Sequence, residues 1–308
     1  MMAILLLCSA AGAPGVTSTA LGLALWWPRE VVLVDADPHP NHAVEAGYLG
    51  GRGRTGAGLA ELARCHRQGG ELTSALWSEL IALPHPDGAE EPLVHYLAGF
   101  GHPAQPALFQ RIWPDLAASL AELGRAGVDV IVDLGRVSSP GAGSGPAGGI
   151  PAELAARASV LGVVSRTGLR PLAGLSLHRE QLDTIAKAST ASVGLILVGA
   201  GQPYSAGEIQ AEFGLQVLAE VVADPRAAAV LSDGVGVVSG SIPHRWRRGR
   251  YVSSLRHAAG SLHKQLAQHA GIAEHDVIAL SADDVDAQPG GEDLPPEISA
   301  PVGEGTRP

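Results

Sequence analysis

The chain has 308 residues, 46% of them hydrophobic and 17% charged, with 40 glycines and a formal net charge of −10. No apolar run approaches the roughly 20 residues that cross a bilayer, and the acidic balance argues against general attraction to nucleic acid or anionic lipid, leaving only local basic patches for such contact. Two cysteines, Cys8 and Cys65, are too few for a disulfide framework and lead us to expect a reducing, cytoplasmic setting.

Ala3 to Leu7 is a short continuous apolar run that reads as a buried strand. With Cys8-Ser9-Ala10-Ala11 it imitates a secretion signal, but no basic residue precedes it and the apolar part is too short, so export is not expected. Gly12-Ala13-Pro14-Gly15-Val16-Thr17-Ser18-Thr19 follows, and Ala20 to Leu25 continues at helical spacing until Pro28 stops it. Strand, glycine loop and helix together lay out a phosphate-binding loop, in which main-chain N–H groups at a helix N-terminus cradle the anion. Thr17 and Ser18 fall where a hydroxyl would reach Mg²⁺, whereas the usual lysine position is occupied by Val16.

Val31 to Asp35 is a second strand, delivering Asp35 and Asp37 at its carboxyl end within Val34-Asp35-Ala36-Asp37-Pro38-His39-Pro40-Asn41. At period-two spacing the two carboxylates point the same way, toward whatever the first loop holds. They suit orientation of a water or binding of hydrated Mg²⁺, and equally the capping of a turn, which Asp-Pro favours. Glu71 to Phe109, with Trp77, Tyr96 and Phe100, has no evident role beyond core packing or a partner-facing surface; within it Leu93 to Leu97 reads as a strand. Ala104 to Leu123 reads as one helix.

Val128 to Asp133 is the third chemically loaded strand, ending Asp133-Leu134-Gly135, which places Asp133 to hold Mg²⁺ through water. Gly135 to Gly149 is rich in Gly, Ser, Pro and Ala and reads as a mobile loop. Strands at Ser159–Val164, Val193–Val198 and Val217–Val221 alternate with helices at Pro171–Lys187 and Ser205–Phe213. These strands are apolar throughout, as in parallel sheets covered on both faces. The expected fold is therefore α/β, a doubly wound, mostly parallel sheet with helices on both faces.

Gln202 and Tyr204, after the Val193 strand, suit contact with a purine base or a plain turn. His244-Arg245-Trp246-Arg247-Arg248-Gly249-Arg250-Tyr251 is a basic cluster, read either as a solvated loop or as an anion contact for DNA or acidic lipid through Arg245, Arg247, Arg248 and Arg250. The helix from Val252 to Ala270 carries Leu255, Ala259, Leu262 and Leu266 on one face and should dock on the sheet. Twelve histidines, His39, His42, His263 and His269 among them, show no metal-ligand spacing. Residues 1–280 read as one domain and 281–308 as an acidic, Pro/Gly-rich disordered tail.

On Ser9 to Thr19, Val31 to Asn41 and Val128 to Gly135, supported by Val193 to Ser205 and Asp224-Pro225-Arg226, the chain resembles the MinD/ParA P-loop ATPases over roughly residues 1–270. This is the deviant Walker A group that includes the CpaE/TadZ proteins of pilus assembly. Against the family's approximate K-G-G-x-G-K-T-T, this chain has Ala11, Gly12, Ala13, Pro14, Gly15, Val16, Thr17 and Ser18. The resemblance implies a P-loop, three-layer fold, ATP or ADP with Mg²⁺ as cofactors, and phosphate binding by Gly12, Ala13, Pro14, Gly15, Val16, Thr17 and Ser18. It implies metal binding by Thr17, Asp35 and Asp133, and a switch role near the attacking water for Asp37. Loss of both lysines implies weakened nucleotide binding and at most a weak ATPase. The lysine replaced by Ala11 is the one that in relatives reaches across a homodimer, and its loss weighs against a nucleotide-sandwiched form. The function implied is positioning or regulation of a pilus, secretion or partition assembly, with a partitioning ATPase that binds DNA as the alternative.

Overall fold

The computed structural model describes residues 4–10, 15–51, 58–88, 93–137, 150–188, 191–199, 201–236 and 242–283. In chain order the first half comprises β1 (Ile4–Ser9), α1 (Val16–Leu25), β2 (Val31–Asp35), a π-helix (Ala43–Tyr48), α2 (Leu59–Arg67), α3 (Leu72–Glu79), β3 (Ile81–Ala82), β4 (Val94–Leu97), α4 (Gln105–Phe109), α5 (Trp113–Arg125) and β5 (Asp129–Arg136). The second half comprises α6 (Ala152–Ala155), β6 (Val160–Arg166), α7 (Leu169–Leu177), α8 (Arg179–Ala188), β7 (Ser192–Val198), α9 (Ala206–Phe213), β8 (Gln216–Val221), α10 (Pro225–Ser232), α11 (His244–Arg247) and α12 (Arg250–Asp283).

The apolar strands pair into one sheet of order β3-β4-β2-β5-β1-β6-β7-β8. Every neighbouring pair is parallel except β3 with β4. Continuous apolar strands are buried on both faces, and two cores form accordingly. One packs Leu6, Val32, Val132 and Val163 under α2, α3, α5, α7 and α9; the other packs Leu5, Leu7, Ile131 and Val164 under α1, α10 and α12. The result is the expected three-layer α/β fold, doubly wound about β1. From β1 the chain moves to one side and, after β5, to the other, which puts the reversal of strand order beside β1, the place where such sheets bind ligands at their carboxyl ends.

The expected helix at 104–123 is two helices, because Pro114 lies at the N-terminal turn of α5 and has no N–H to continue α4. The expected helix at 171–187 divides at His178. Its Nδ1 lies 3.0 Å from the Gly174 carbonyl, and its backbone N–H turns instead to Leu175. The basic cluster holds a short helix, α11, rather than a plain loop, and α12 runs longer than expected. Of the expected mobile loop, Gly135 and Arg136 close β5 and Val137 is buried, while 138–149 lies outside the described residues. On α12, Leu255, Ala259, Leu262 and Leu266 are buried as expected. By its contacts the chain divides into Met1–Gly271, which holds the whole sheet, and Ile272–Pro308; the expected disordered tail falls mostly outside the described residues. Among the described residues no helix is long and apolar enough to cross a membrane.

Candidate functional site

Gly15 heads α1 in the left-handed region (φ 95°), and no described side chain caps the helix behind it. The first helical hydrogen bond runs from Thr19 N–H to the Gly15 carbonyl at 2.8 Å. A helix N-terminus without a side-chain cap presents N–H groups and the positive end of its dipole to an anion. Thr17 and Ser18 are partly exposed there, and Val16 is only 7% exposed, packed in the core on the α1 side of the sheet. Gly12, Ala13 and Pro14 lie outside the described residues.

Register brings three acidic positions together at the carboxyl edge. Asp35 on β2 and Leu7 on β1 both pair with Asp133 on β5. Asp133 is 1% exposed; its Oδ1 accepts the Gly135 N–H at 2.9 Å, and its Oδ2 meets no donor in hydrogen-bonding geometry among the described residues. Burial pushes its pKa up to about 6, opposed by the nearby Thr17 hydroxyl and the Gly135 amide. Asp35 is pushed higher, to about 8, by burial first and then by the neighbouring Asp133 charge, although Tyr96 donates its hydroxyl to Oδ2 at 3.3 Å.

Asp37 follows β2 in a turn held by its own carboxylate. It accepts the His39 N–H at 2.8 Å on Oδ1 and the Asn41 side-chain amide at 3.3 Å on Oδ2. Its N–H donates to Asp35 Oδ1 at 3.3 Å. The turn-capping reading is thus seen directly, and both carboxylates lie beside Asp133. Two glycines permit this crowding. A Cβ on Gly135 (φ 61°) would come within 2.2 Å of the Asp37 carboxylate, and one on Gly99 within 2.7 Å of Asp35.

Asn41 and Tyr96 are the residues sequence reasoning missed here. Asn41 donates to Thr17 Oγ1 at 3.2 Å as well as to Asp37, and its own carbonyl receives the Ala43 N–H. Its place at the end of the Asp35–Asn41 motif was the available signal. Tyr96 gave none, because its partner is 61 residues away.

The donor set fits a hydrated magnesium ion, which takes one or two protein ligands and keeps several waters. A buried, unpaired carboxylate oxygen on Asp133 beside the Thr17 hydroxyl is such a set. The described groups around the three carboxylates are Thr17, His39, Asn41, Tyr96 and backbone amides, none of which carries a fixed positive charge.

The remaining expectations fall elsewhere. Thr167 ties Gly199 and Gln202 through their carbonyls, at 2.9 and 2.6 Å, in the turn that carries Tyr204, which is 37% exposed. In the basic cluster Arg247 is committed to Asp87 (3.3 Å) and the Pro86 carbonyl (3.2 Å), leaving Arg245, Arg248 and Arg250 exposed. Cys8 is a buried thiol, pushed up to about 12 by burial.

No protein-family model matches the chain, and no curated protein does. Solved structures do resemble it. A ParA family ATPase from Chlorobium tepidum aligns with TM-score 0.61 at 15% identity over 84% of this chain and 99% of that one. A chain of the MinC:MinD cell division protein complex of Aquifex aeolicus gives 0.60 at 12% identity, over 85% and 96%. The septum site-determining protein MinD from Pyrococcus horikoshii, complexed with Mg-ADP, gives 0.57 at 16% identity, over 84% and 95%. At this identity the likeness is one of fold, and the chain has the fold of the MinD/ParA ATPases.

Proposed function

We propose that the chain binds a magnesium nucleotide weakly at the head of α1, turns it over slowly at most, and serves to position or regulate a cellular assembly in the cytoplasm. The observation that carries this reading is Asp133, buried with one unpaired oxygen next to Thr17, in front of a helix N-terminus without a side-chain cap. In this reading the Gly12–Ser18 loop holds phosphates through its amides, Thr17 and Asp133 hold the ion, and Asp37, steadied by Asn41, orients a water. Asp35 joins the metal ligands only on losing the proton that burial favours. Bound ATP with Mg²⁺ would supply the cleavable phosphoanhydride and the Lewis acid.

Val16 sets the limit on affinity and rate. A charge-assisted phosphate contact contributes about 1.5–3 kcal/mol, so its absence weakens binding roughly ten- to a hundredfold and slows chemistry more where charge develops. The structural likeness to a chain of a MinC:MinD complex supports a protein partner; pilus, secretion and partition machineries are the candidates that the sequence resemblance suggests. The second reading, a weakly active partitioning ATPase, draws on exposed Arg245, Arg248 and Arg250 as a DNA contact. Titration with ATP, with and without Mg²⁺, followed by phosphate release, tests the proposal. Saturable Mg²⁺-dependent binding with little release supports it, slow but measurable release together with salt-sensitive DNA binding supports the second reading, and no binding overturns both.

A further inference from the structure

We infer that Arg166 supplies the cationic phosphate contact that Val16 cannot, reaching the nucleotide from the strand beside β1. This rests on the proposed nucleotide site and deepens it. Among the described residues only two in strands carry a permanent positive charge, Arg136 at the end of β5 and Arg166 at the end of β6. Both strands flank β1, whose carboxyl end feeds the glycine loop. Arg136 already has an interaction partner. Arg166 is exposed and makes no ion pair or side-chain hydrogen bond with a described residue.

The face of the sheet selects Arg166. Along β6, Val160 and Val164 pack into the core under α1, while Leu161 and Val163 pack into the opposite core. Two residues beyond Val164, Arg166 shares the α1 face, and its register partner Val198 belongs to the same core. Adjacent parallel strands lie about 4.8 Å apart, so Arg166 sits one strand over from β1, at the carboxyl edge and on the side where α1 begins. Its backbone is fixed, because Thr167 is 3% exposed and its hydroxyl binds the Gly199 and Gln202 carbonyls. Arg170, by contrast, opens α7, whose Leu172 and Leu175 pack into the other core. The second feature pointing to a ligand is the buried Oδ2 of Asp133 beside Thr17, which no described donor meets in hydrogen-bonding geometry. A guanidinium placed there offsets both the phosphate charge and the carboxylates, and its planar fork suits phosphate oxygens.

The test is equilibrium binding of a fluorescent ATP analogue with Mg²⁺ to the full chain and to Arg166→Ala, Arg166→Lys and Arg170→Ala, each checked by thermal melting. Since Arg166 is exposed, the variants should melt with the parent. Arg166→Ala should weaken binding roughly ten- to a hundredfold, Arg166→Lys should recover part of it, and Arg170→Ala should leave it unchanged. Equal affinity in parent and Arg166→Ala overturns the inference while leaving the nucleotide site standing, as does an equal loss in Arg170→Ala. Absence of binding by the parent overturns both.

Discussion

The side-chain amide of Asn41 stands 3.2 Å from the Thr17 hydroxyl, joining the head of α1 to the turn that follows β2. The same nitrogen donates to Asp37 at 3.3 Å, so one residue aligns the hydroxyl and the carboxylate that the proposed site uses. Asn41→Ala should cost only about 1 kcal/mol, since the bonds are partly exposed. Its larger effect should be local, with faster hydrogen exchange across residues 37–48 while exchange in β5 is unchanged. Unaltered exchange at 37–48 would show that Asn41 does not hold this turn.

Gly135→Ala should be much more damaging. The position combines a left-handed φ of 61° with a Cβ placed 2.2 Å from the Asp37 carboxylate, and both Asp37 and the backbone there are hemmed in. A loss of about 2 kcal/mol or more is expected in denaturant unfolding. A neutral substitution would mean that Asp37 can swing clear without loss.

Stability against pH carries the mark of the buried cluster. Asp35 is raised from 3.8 to about 8 and Asp133 from 3.8 to about 6. Each keeps its proton in the folded protein at a pH where the unfolded chain has released it, so folding takes up protons. Their contribution to stability therefore falls as pH rises from about 4 toward 8 and is constant above the folded values. Between pH 7 and 8, below the range where the Cys8 thiol of the unfolded chain ionises, the slope belongs to Asp35, so Asp35→Asn should flatten it, whereas the parent should lose a few degrees of melting temperature over that interval. A parent whose melting temperature rises with pH there would contradict the assignment.

Two anchors on α12 should differ in strength. Asp129, 1% exposed, accepts Trp27 Nε1–H at 2.9 Å and faces Arg29 (3.9 Å) and His263 (3.7 Å). Asp129→Ala strands the buried indole N–H and should cost about 2–3 kcal/mol. Asp87, 38% exposed, pairs with Arg256 at 2.9 Å and Arg247 at 3.3 Å, and Asp87→Ala should cost about 1 kcal/mol or less. Chemical denaturation of both variants ranks them directly, and a reversed order would refute the burial argument.

What the sequence disclosed was set by reach along the chain. β1, β2 and β5 are legible because strands buried on both faces must be continuously apolar, and their closing aspartates stand out against that background. β3, two residues long, is too short for any period to register. The breaks at Pro114 and His178 depend on one missing N–H and one imidazole competing for a carbonyl, which a helical spacing of apolar residues passes over. The candidate site was half visible. Asp35, Asp37, Asp133 and Thr17 announce themselves as residue types in order, but Tyr96 behind Asp35, Gly135 against Asp37 and the face on which Arg166 emerges exist only once strands distant in sequence are side by side.

The proposed phosphate site at the head of α1 has valine where a lysine would stand, and adding that lysine tests the proposal most directly. Val16 is nearly buried, yet a lysine there can lay its stem along the core and send its ammonium to the loop. Magnesium ATP titrated into the parent and Val16→Lys, with folding confirmed for both, should bind the variant roughly ten- to a hundredfold more tightly. Equal affinities in two folded proteins, or saturable binding in neither, would contradict the account.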